Sequence, residues 1–350
     1  MNKVRVGIVG SKFAADFHCD SYSRNDQVEI AAVAAIDNLE ECAGKWGIPK
    51  TYEDYHEMME AEELDLISAC VPNFLHRDVV VAAAEHGIDV VTEKPMATNA
   101  ADCVEMIEAC DEAGVKLFYA EDWVLMPALC RALEIKDKGG IGEMLYLKAR
   151  EVHNGSHSPF AKKKSTCGGG CLIHLAMHPI GWTIYAMGEE NPPVEVTAKT
   201  TGGLEQNYVH KEFEGEDWSV GIIKFQDGRY AFVEGNYITV GGMDDEVEIY
   251  GSDGRMILDL TFSSPIRCYS REGIDYAIEK TDFTHGWTKP AVDEFYNLGY
   301  VHELRYFVDC VLNDEEPKFG VDGKTGLMCM QVVEAMYRSA EEGRSVELEG

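Results

Sequence analysis

Val4-Arg5-Val6-Gly7-Ile8-Val9-Gly10-Ser11-Lys12-Phe13-Ala14-Ala15 is the stretch on which the fold turns. A short β-branched run ends at Gly10, and small residues then open a helix. At such a junction backbone N–H groups and the positive end of the helix dipole can meet a pyrophosphate. The usual pattern is GxGxxG or GxGxxA, and Lys12 stands where its second glycine belongs. A bare strand–helix turn accounts for the same residues without a ligand. What separates the two readings is the sequence that follows.

Over the first 120 residues, apolar runs recur at 4–9, 29–36, 65–70, 89–92 and 116–119, with amphipathic stretches such as 78–86 and 100–113 between them. Strands alternating with helices predict βαβ units, a parallel sheet and helices on both faces. Runs this apolar suit strands buried on both sides. The Gly10 junction is then the first βα turn of a Rossmann-type doubly wound sheet, and Gly7, Gly10, Lys12, Phe13 and Ala14 become candidates to hold a dinucleotide.

After about residue 140 the period shortens to two. Segments 143–152, 194–201, 219–226, 229–240, 246–250 and 255–260 alternate apolar with polar residues. Turn signals such as Asp227-Gly228, Gly241-Gly242 and Asp253-Gly254 separate them. This predicts an α+β domain with an open, mainly antiparallel sheet, closed by helices near 292–312 and 323–342. The expected division is a dinucleotide-binding domain at 1–121 and a substrate-binding and oligomerisation domain at 122–350. A chain of 350 residues also exceeds the roughly 250 that one core supports.

The chain carries 62 acidic against 31 basic side chains, a formal charge of −31. That field repels nucleic-acid phosphates and anionic lipid, so neither is an expected partner. It suits a small neutral substrate and disfavours NADP relative to NAD, except where Lys94 or Lys162–Lys164 reverse the sign locally. The 11 cysteines are scattered without a CxxC pair, unlike a disulfide scaffold. No apolar run approaches the roughly 18 residues of a membrane span. Met1-Asn2-Lys3 leads into the first strand without a secretory signal. The expectation is a reduced, cytoplasmic protein.

Asp37 follows the second strand. A carboxylate there accepts hydrogen bonds from the ribose hydroxyls of NAD and repels the 2′-phosphate of NADP. It also suits the N-cap of a helix starting near Leu39, and the two roles are compatible. The fourth strand runs into Thr92-Glu93-Lys94-Pro95, placing Lys94 beyond a strand's carboxyl end, where ligands of parallel sheets bind.

Cys167-Gly168-Gly169-Gly170-Cys171-Leu172-Ile173-His174-Leu175-Ala176-Met177-His178-Pro179 is the richest stretch. Only two residues separate Cys171 from His174, against about 12 in a zinc finger, which argues against structural zinc. A continuous helix after Gly170 would set Cys171, His174 and His178 within about 60° of one another on one face. Pro179 requires either a helix start nearby or a kink. Two imidazoles on an otherwise apolar helix need partners or a role. His153 and His157 follow the strand 143–152. With Glu121 and Asp122 they either line the same cleft, hold a metal, or are polar loop residues. Trp123, Phe160, Trp182 and Trp287 are available to stack on a sugar ring or to fill the core.

In this order the pieces resemble the Gfo/Idh/MocA family of sugar and polyol oxidoreductases, over nearly the whole chain. The matching elements are the glycine-rich start, Val71-Pro72-Asn73 with His76, Glu93-Lys94-Pro95 and Ile141-Gly142-Glu143. Gly168-Gly169-Gly170 with His178 and Phe307-Val308-Asp309-Cys310 complete the set. The resemblance implies NAD as cofactor, with NADP second, and adds Pro72, Asn73, His76, Glu93 and Lys94 to its contacts. It implies that Lys94 and His178 flank the reacting sugar carbon, and that the open sheet pairs subunits into a dimer or larger homo-oligomer. The family usually carries Asp four positions before that histidine, where this chain has His174. A second imidazole does not hold the histidine tautomer as a carboxylate does. The substitution implies an altered acid–base pair, a shifted substrate or a bound metal. Glu121-Asp122-Trp123 and the His153…His157 pair look like a branch acting on glycosides, so Glu121, Trp123, His153, His157 and His174 are expected at the substrate.

The implied chemistry is oxidation of a ring hydroxyl of a sugar, polyol or glycoside, with a 3-oxo-glycoside as one product. His178 is the expected acid/base and Lys94 the group that stabilises the alkoxide, with His174 a third catalytic candidate. Lys94 becomes the base itself if burial depresses its pKa. Three alternatives stand beside this. They are an NAD-retaining glycoside hydrolase of the same family, a metal-assisted variant using Glu121, His153 and His174, and an NAD-binding sensor without turnover.

Overall fold

Uninterrupted apolar runs at the start of the chain build strands that need cover on both faces, and that requirement shapes the first sheet. The computed structural model describes residues 3–156, 158–261, 264–273 and 285–348. Residues 1–126 with 299–330 form one compact unit, and residues 127–298 with 331–350 form a second.

In the first unit, β1 (Val4–Val9), β2 (Val28–Ala34), β3 (Thr51–Tyr52), β4 (Leu66–Ala69), β5 (Asp89–Glu93) and β6 (Leu117–Ala120) alternate with helices. These are α1 (Phe13–Ser23), α2 (Leu39–Trp46), α3 (Tyr55–Ala61), α4 (His76–Glu85) and α5 (Ala100–Ala113). All six strands run parallel in the order β3-β2-β1-β4-β5-β6. The chain therefore winds outward from β1, returns, and starts again at β4, so the winding reverses between β1 and β4. Val6, Ile8, Val33, Leu66, Ile67, Val90, Val91 and Phe118 are buried in the sheet. The two-residue β3 has no apolar run to announce it, and the periodicity of the sequence passes over it.

Gly10 stands at that reversal with φ +115°, and a Cβ there would lie 2.1 Å from the Cys70 carbonyl oxygen. The Cys70 amide in turn donates to Val9 O at 2.8 Å. Gly7 differs. It lies within β1, where a Cβ would press on Leu64 and Ile67 side chains at 2.8 and 2.9 Å, so packing accounts for it.

The second unit opens with α6 (Pro127–Asp137), β7 (Met144–Val152), α7 (Lys164–Cys167), α8 (Cys171–His174) and α9 (Met177–Met187). There follow β8 (Pro193–Thr200), β9 (Trp218–Phe225), β10 (Tyr230–Asn236), β11 (Glu246–Gly251) and β12 (Arg255–Asp259). A small hairpin, β13 (Cys268–Ser270) with β14 (Gly286–Thr288), and the short α10 (Glu294–Asn297) come next. The chain ends with α11 (Tyr300–Asn313), α12 (Gly323–Glu342) and β15 (Val346–Glu347). The sheet order is β12-β11-β7-β10-β9-β8-β15, antiparallel except for β7 beside β10. Inward residues Leu147, Ala149, Ile223, Phe225, Ala231, Val233, Val247 and Ile249 are buried. α8 and α9 pack on this sheet. The residues alternating with them carry a mixed face. Tyr146 stacks on Tyr250 with ring centres 4.4 Å apart. Tyr230, Phe232 and Ile222 remain exposed, while Lys148 pairs with Glu248 and Arg150 with Asp244.

The helix expected near 292–312 is two helices, α10 and α11, parted at Gly299. Its φ is +101°, and a Cβ would lie 2.5 Å from Asp122 O. The sequence assigns both closing helices to the second domain, but α11 packs on α1, with Phe17 stacked on Tyr300 at 4.5 Å.

Glu303 on α11 is fully buried, and no well-formed hydrogen bond reaches either carboxyl oxygen among the described residues. Burial first, then the charges of Asp122, Glu93 and Glu121, push its pKa well above the usual carboxylate range. The folded chain keeps a proton that the unfolded chain releases above about pH 4.3. The stability tied to this group is therefore complete below that pH and declines as pH rises. Glu303→Gln removes the dependence. Relative to the parent, its stability from urea midpoints should rise between about pH 5 and pH 8, by up to about 1.4 kcal/mol per pH unit. A difference that stays constant over that range would refute the assignment.

Candidate active site

The nucleotide candidates gather at the carboxyl ends of β1 and β2. α1 begins there without a side-chain cap, leaving the first-turn N–H groups available. Ser11 Oγ donates to the Asp37 carbonyl at 2.5 Å, tying the two strand exits together. Lys12 Nζ lies 2.6 Å from Asp37 Oδ2. Phe13 is exposed and Ala14 half-buried beside them. Asp37 does not cap α2. Asn38 occupies the N-cap position at φ 49° and makes no capping hydrogen bond. An uncapped helix start, a glycine turn and a carboxylate at the next strand end fit a dinucleotide.

At the exits of β4 and β5, Pro72 precedes a short 3₁₀ turn in which Asn73 is buried. His76 is buried as well, with Nδ1 2.8 Å from Pro95 O and Nε2 2.9 Å from Val71 O. Burial lowers its pKa against the pull of these two carbonyls and Glu93. His76 therefore braces the two strand-end loops. Glu93 ends β5 in a buried polar chain: Tyr22 Oη to Ser68 Oγ at 2.8 Å, Ser68 Oγ to His18 Nδ1 at 2.9 Å, and His18 Nε2 to Glu93 Oε1 at 2.8 Å. The Lys94 amide donates to Glu93 Oε2 at 3.2 Å. Burial would raise the Glu93 pKa, but the hydrogen bond from His18 and the charges of His18, Lys94 and His76 prevail and lower it. An anionic Glu93 thus sits beneath the half-buried Lys94. Glu121 and Trp123, at the end of β6, are buried, and Tyr119 Oη donates to Glu121 Oε2 at 3.4 Å.

In the second unit the triple glycine is a packing device. A Cβ on Gly169 would lie 2.0 Å from Tyr337 Oη, and one on Gly170 would lie 2.2 Å from the Glu216 carbonyl. Glu216 Oε1 accepts from the amides of Gly170 at 3.2 Å and Leu172 at 2.9 Å, and from Tyr337 Oη at 2.8 Å. This carboxylate pins the start of α8. The continuous helix expected through His178 is absent. α8 stops at His174, and α9 restarts at Met177, with Pro179 in its first turn where a missing N–H is harmless. The break turns His174 and His178 to different surroundings.

His178 is buried, with Nε2 4.0 Å from Glu151 Oε2 on β7. His174 Nδ1 makes a short hydrogen bond with Tyr237 Oη. Burial raises the Tyr237 pKa strongly, so the phenol keeps its proton and can donate it to Nδ1. A neutral His174 then carries its proton on Nε2, a donor where a carboxylate would accept. The rings of His153 and Phe160 lie 5.8 Å from Tyr237 and 6.0 Å from His174, respectively.

Cys171 Sγ donates toward Ser219 Oγ at 3.6 Å, and burial raises its thiol pKa well above the usual range. Trp182 is fully buried core, and Trp287 packs edge-on against Tyr269. His157 lies outside the described residues. Sequence reasoning passed over His18, Glu151, Glu216, Tyr237 and Tyr337. Glu151 and Tyr237 carried a faint signal, a polar residue at the end of an alternating strand.

The family model described as "Oxidoreductase family, NAD-binding Rossmann fold" matches residues 4–121, and "Oxidoreductase family, C-terminal alpha/beta domain" matches residues 137–348. Among relatives, myo-inositol 2-dehydrogenase of Thermotoga maritima is 27% identical over 348 residues, covering 99% of each chain. D-xylose 1-dehydrogenase [NADP(+)] of Haloarcula marismortui is 24% identical, covering 85% of this chain and 79% of its own. The solved structure of GenD2 from gentamicin A biosynthesis in complex with NAD has a TM-score of 0.91 at 23% identity. That match covers 100% of this chain and 97% of the other, a likeness of fold.

The triple-glycine packing can be tested apart from any ligand. Gly170→Ala should lower stability by about 1–3 kcal/mol in thermal or urea unfolding, because the new methyl meets backbone that cannot rotate away. An unchanged midpoint would show that this backbone yields.

Proposed function

The chain belongs to the Gfo/Idh/MocA oxidoreductase family, and on that premise we infer that it oxidises a ring hydroxyl of a small neutral sugar, polyol or glycoside, with NAD preferred to NADP. The observation that carries the reading is His178, an imidazole buried on α9 beside the Glu151 carboxylate. A neutral His178 takes the hydroxyl proton as the C–H bond breaks, and Glu151 favours the imidazolium that results. Lys94, seated over anionic Glu93, stabilises the developing alkoxide. Gly10, Lys12, Phe13, Ala14, Asp37, Pro72 and Asn73 hold the dinucleotide, and His76 and Glu93 brace the loops that present it. When bound, the nicotinamide supplies a two-electron hydride acceptor. His174, oriented by Tyr237, presents a hydrogen-bond donor to the sugar, with His153 beside it.

Among the described residues no helix is long and apolar enough to cross a membrane. The second sheet's outer face, with Tyr146, Ile222, Tyr230, Phe232 and Tyr250, is the surface we assign to subunit pairing. Phe232→Asp should lower the mass measured by light scattering after gel filtration. An unchanged mass would remove this face from the interface.

The activity is tested by following reduced-nicotinamide absorbance while free sugars, inositols and glycosides are presented with NAD. His178→Ala and Lys94→Ala should each lower kcat by about 10²–10⁴-fold, with NAD affinity far less affected. Full turnover in both variants would overturn the assignment. Release of free sugar without reduced cofactor would point instead to the hydrolase chemistry of the same family.

A further inference from the structure

We propose that Cys19 and Cys42 are an oxidation site, at which a peroxide closes a disulfide between α1 and α2 and weakens the dinucleotide corner from which both helices start. The effect on the cofactor rests on the dinucleotide reading of the β1–α1 turn; the disulfide itself does not. Cys19 lies on the buried face of α1 and Cys42 on the buried face of α2, and the two helices pack together. Their thiols share a hydrogen bond across that contact. Asp16, one turn before Cys19, holds the same two helices: its Oδ1 accepts from Trp46 Nε1 at 2.8 Å and lies 2.9 Å from Lys45 Nζ. The two sulfurs thus face each other from anchored helices, as a disulfide requires. In a reduced protein such a bond is a transient, sensing one.

The two thiols divide the chemistry. The hydrogen bond from Cys19, helped by Lys45, lowers the Cys42 pKa against burial and the charge of Asp16. The same bond, then burial and the charges of Cys70, Cys42 and Asp16, raises that of Cys19, which keeps its proton. The Cys42 thiolate attacks one oxygen of hydrogen peroxide. An S–O bond forms, the O–O bond breaks, and the departing hydroxide takes up the proton that Cys42 released. The Cys19 sulfur then attacks the sulfenic sulfur; the S–S bond forms, the S–O bond breaks, and the second hydroxide leaves as water with the Cys19 proton. Two thiols are oxidised and one peroxide is reduced to two waters. Access comes through α2. Its Asn38 N-cap makes no capping hydrogen bond, and a Cβ on Gly44 would meet nothing within 4 Å. No packing requires that glycine, which weakens the helix, so α2 opens locally and admits a small peroxide to Cys42. Bonded sulfurs lie closer than hydrogen-bonded ones, so the disulfide draws α2 toward α1. Lys12 directly precedes α1 and Asp37 stands just before α2, so the corner they form shifts with the helices.

The test treats the full-length protein with hydrogen peroxide and reads intact mass, cross-linked peptides and NADH binding by nicotinamide fluorescence, so that no sugar need be known. The parent should become lighter by two hydrogens, carry a Cys19–Cys42 cross-link and bind NADH at least about fivefold more weakly, the lower end of coupling between two sites. Dithiothreitol should restore both mass and affinity. Cys42→Ser should stay unlinked and keep its NADH affinity under peroxide, and Cys19→Ser should leave a sulfenic acid on Cys42 that dimedone traps. Gly44→Ala should slow the cross-link while leaving NADH affinity of the reduced protein unchanged. No cross-link, a cross-link to another cysteine such as Cys70, or a Cys19–Cys42 cross-link without effect on NADH overturns the proposal. Failure of the reduced, folded parent to bind NADH would overturn the dinucleotide reading itself, a distinguishable result, because the mass still reports the disulfide.

Discussion

Where the exits of β1 and β4 part, the Cys70 carbonyl occupies the space that a side chain at residue 10 would need, and the backbone there takes φ +115°. Much of the first unit's geometry depends on that close approach. It lets β1 and β4 lie side by side while the chain leaves in opposite directions, and it leaves the start of α1 uncapped at the reversal. Asp37, Lys12, Asn73 and Lys94 all stand on loops that leave strand ends of this sheet. A bulkier residue at position 10 would disturb the sheet before it disturbed any ligand. The glycine is thus accounted for by packing alone, before any ligand is considered.

Buried charge is managed differently in the two units. In the first, Glu93 stays anionic because His18, anchored on Ser68 and Tyr22, shares a hydrogen bond with it and cations lie near. Glu303, facing the same carboxylates without such a donor, holds its proton instead. In the second, Glu216 spends its carboxylate on backbone amides and a tyrosine to fix the start of α8, and burial raises its pKa. The candidate catalytic groups rest on these supports. Lys94 follows Glu93 directly, and His178 follows the break that α8 and α9 require.

Periodicity was legible because it follows from burial alone. Parallel strands covered on both faces read as apolar runs, strands with one wet face alternate, and the two grammars change over near residue 140. Two-residue β3 and the α10–α11 break escaped, one for lack of length and the other because Gly299 answers to a distant carbonyl. The helix expected through His178 failed for a similar reason. Pro179 announced that a helix started or bent nearby, but where it broke depended on Glu216, 46 residues beyond Gly170 in the chain.

Residue type and order by themselves determined the Rossmann-type sheet, the α+β half, the glycine turn and the places of Asp37 and Lys94 at strand ends. These are local properties, set by hydrophobic period and by which backbone conformations a residue permits. Only the tertiary structure decided the partners: Tyr237 for His174, Glu151 for His178, His18 for Glu93 and Lys12 for Asp37. Those pairings join residues 25 to 75 positions apart. No periodicity encodes such contacts, because they exist only once packing has brought separate elements together and removed the water that would otherwise satisfy each group alone.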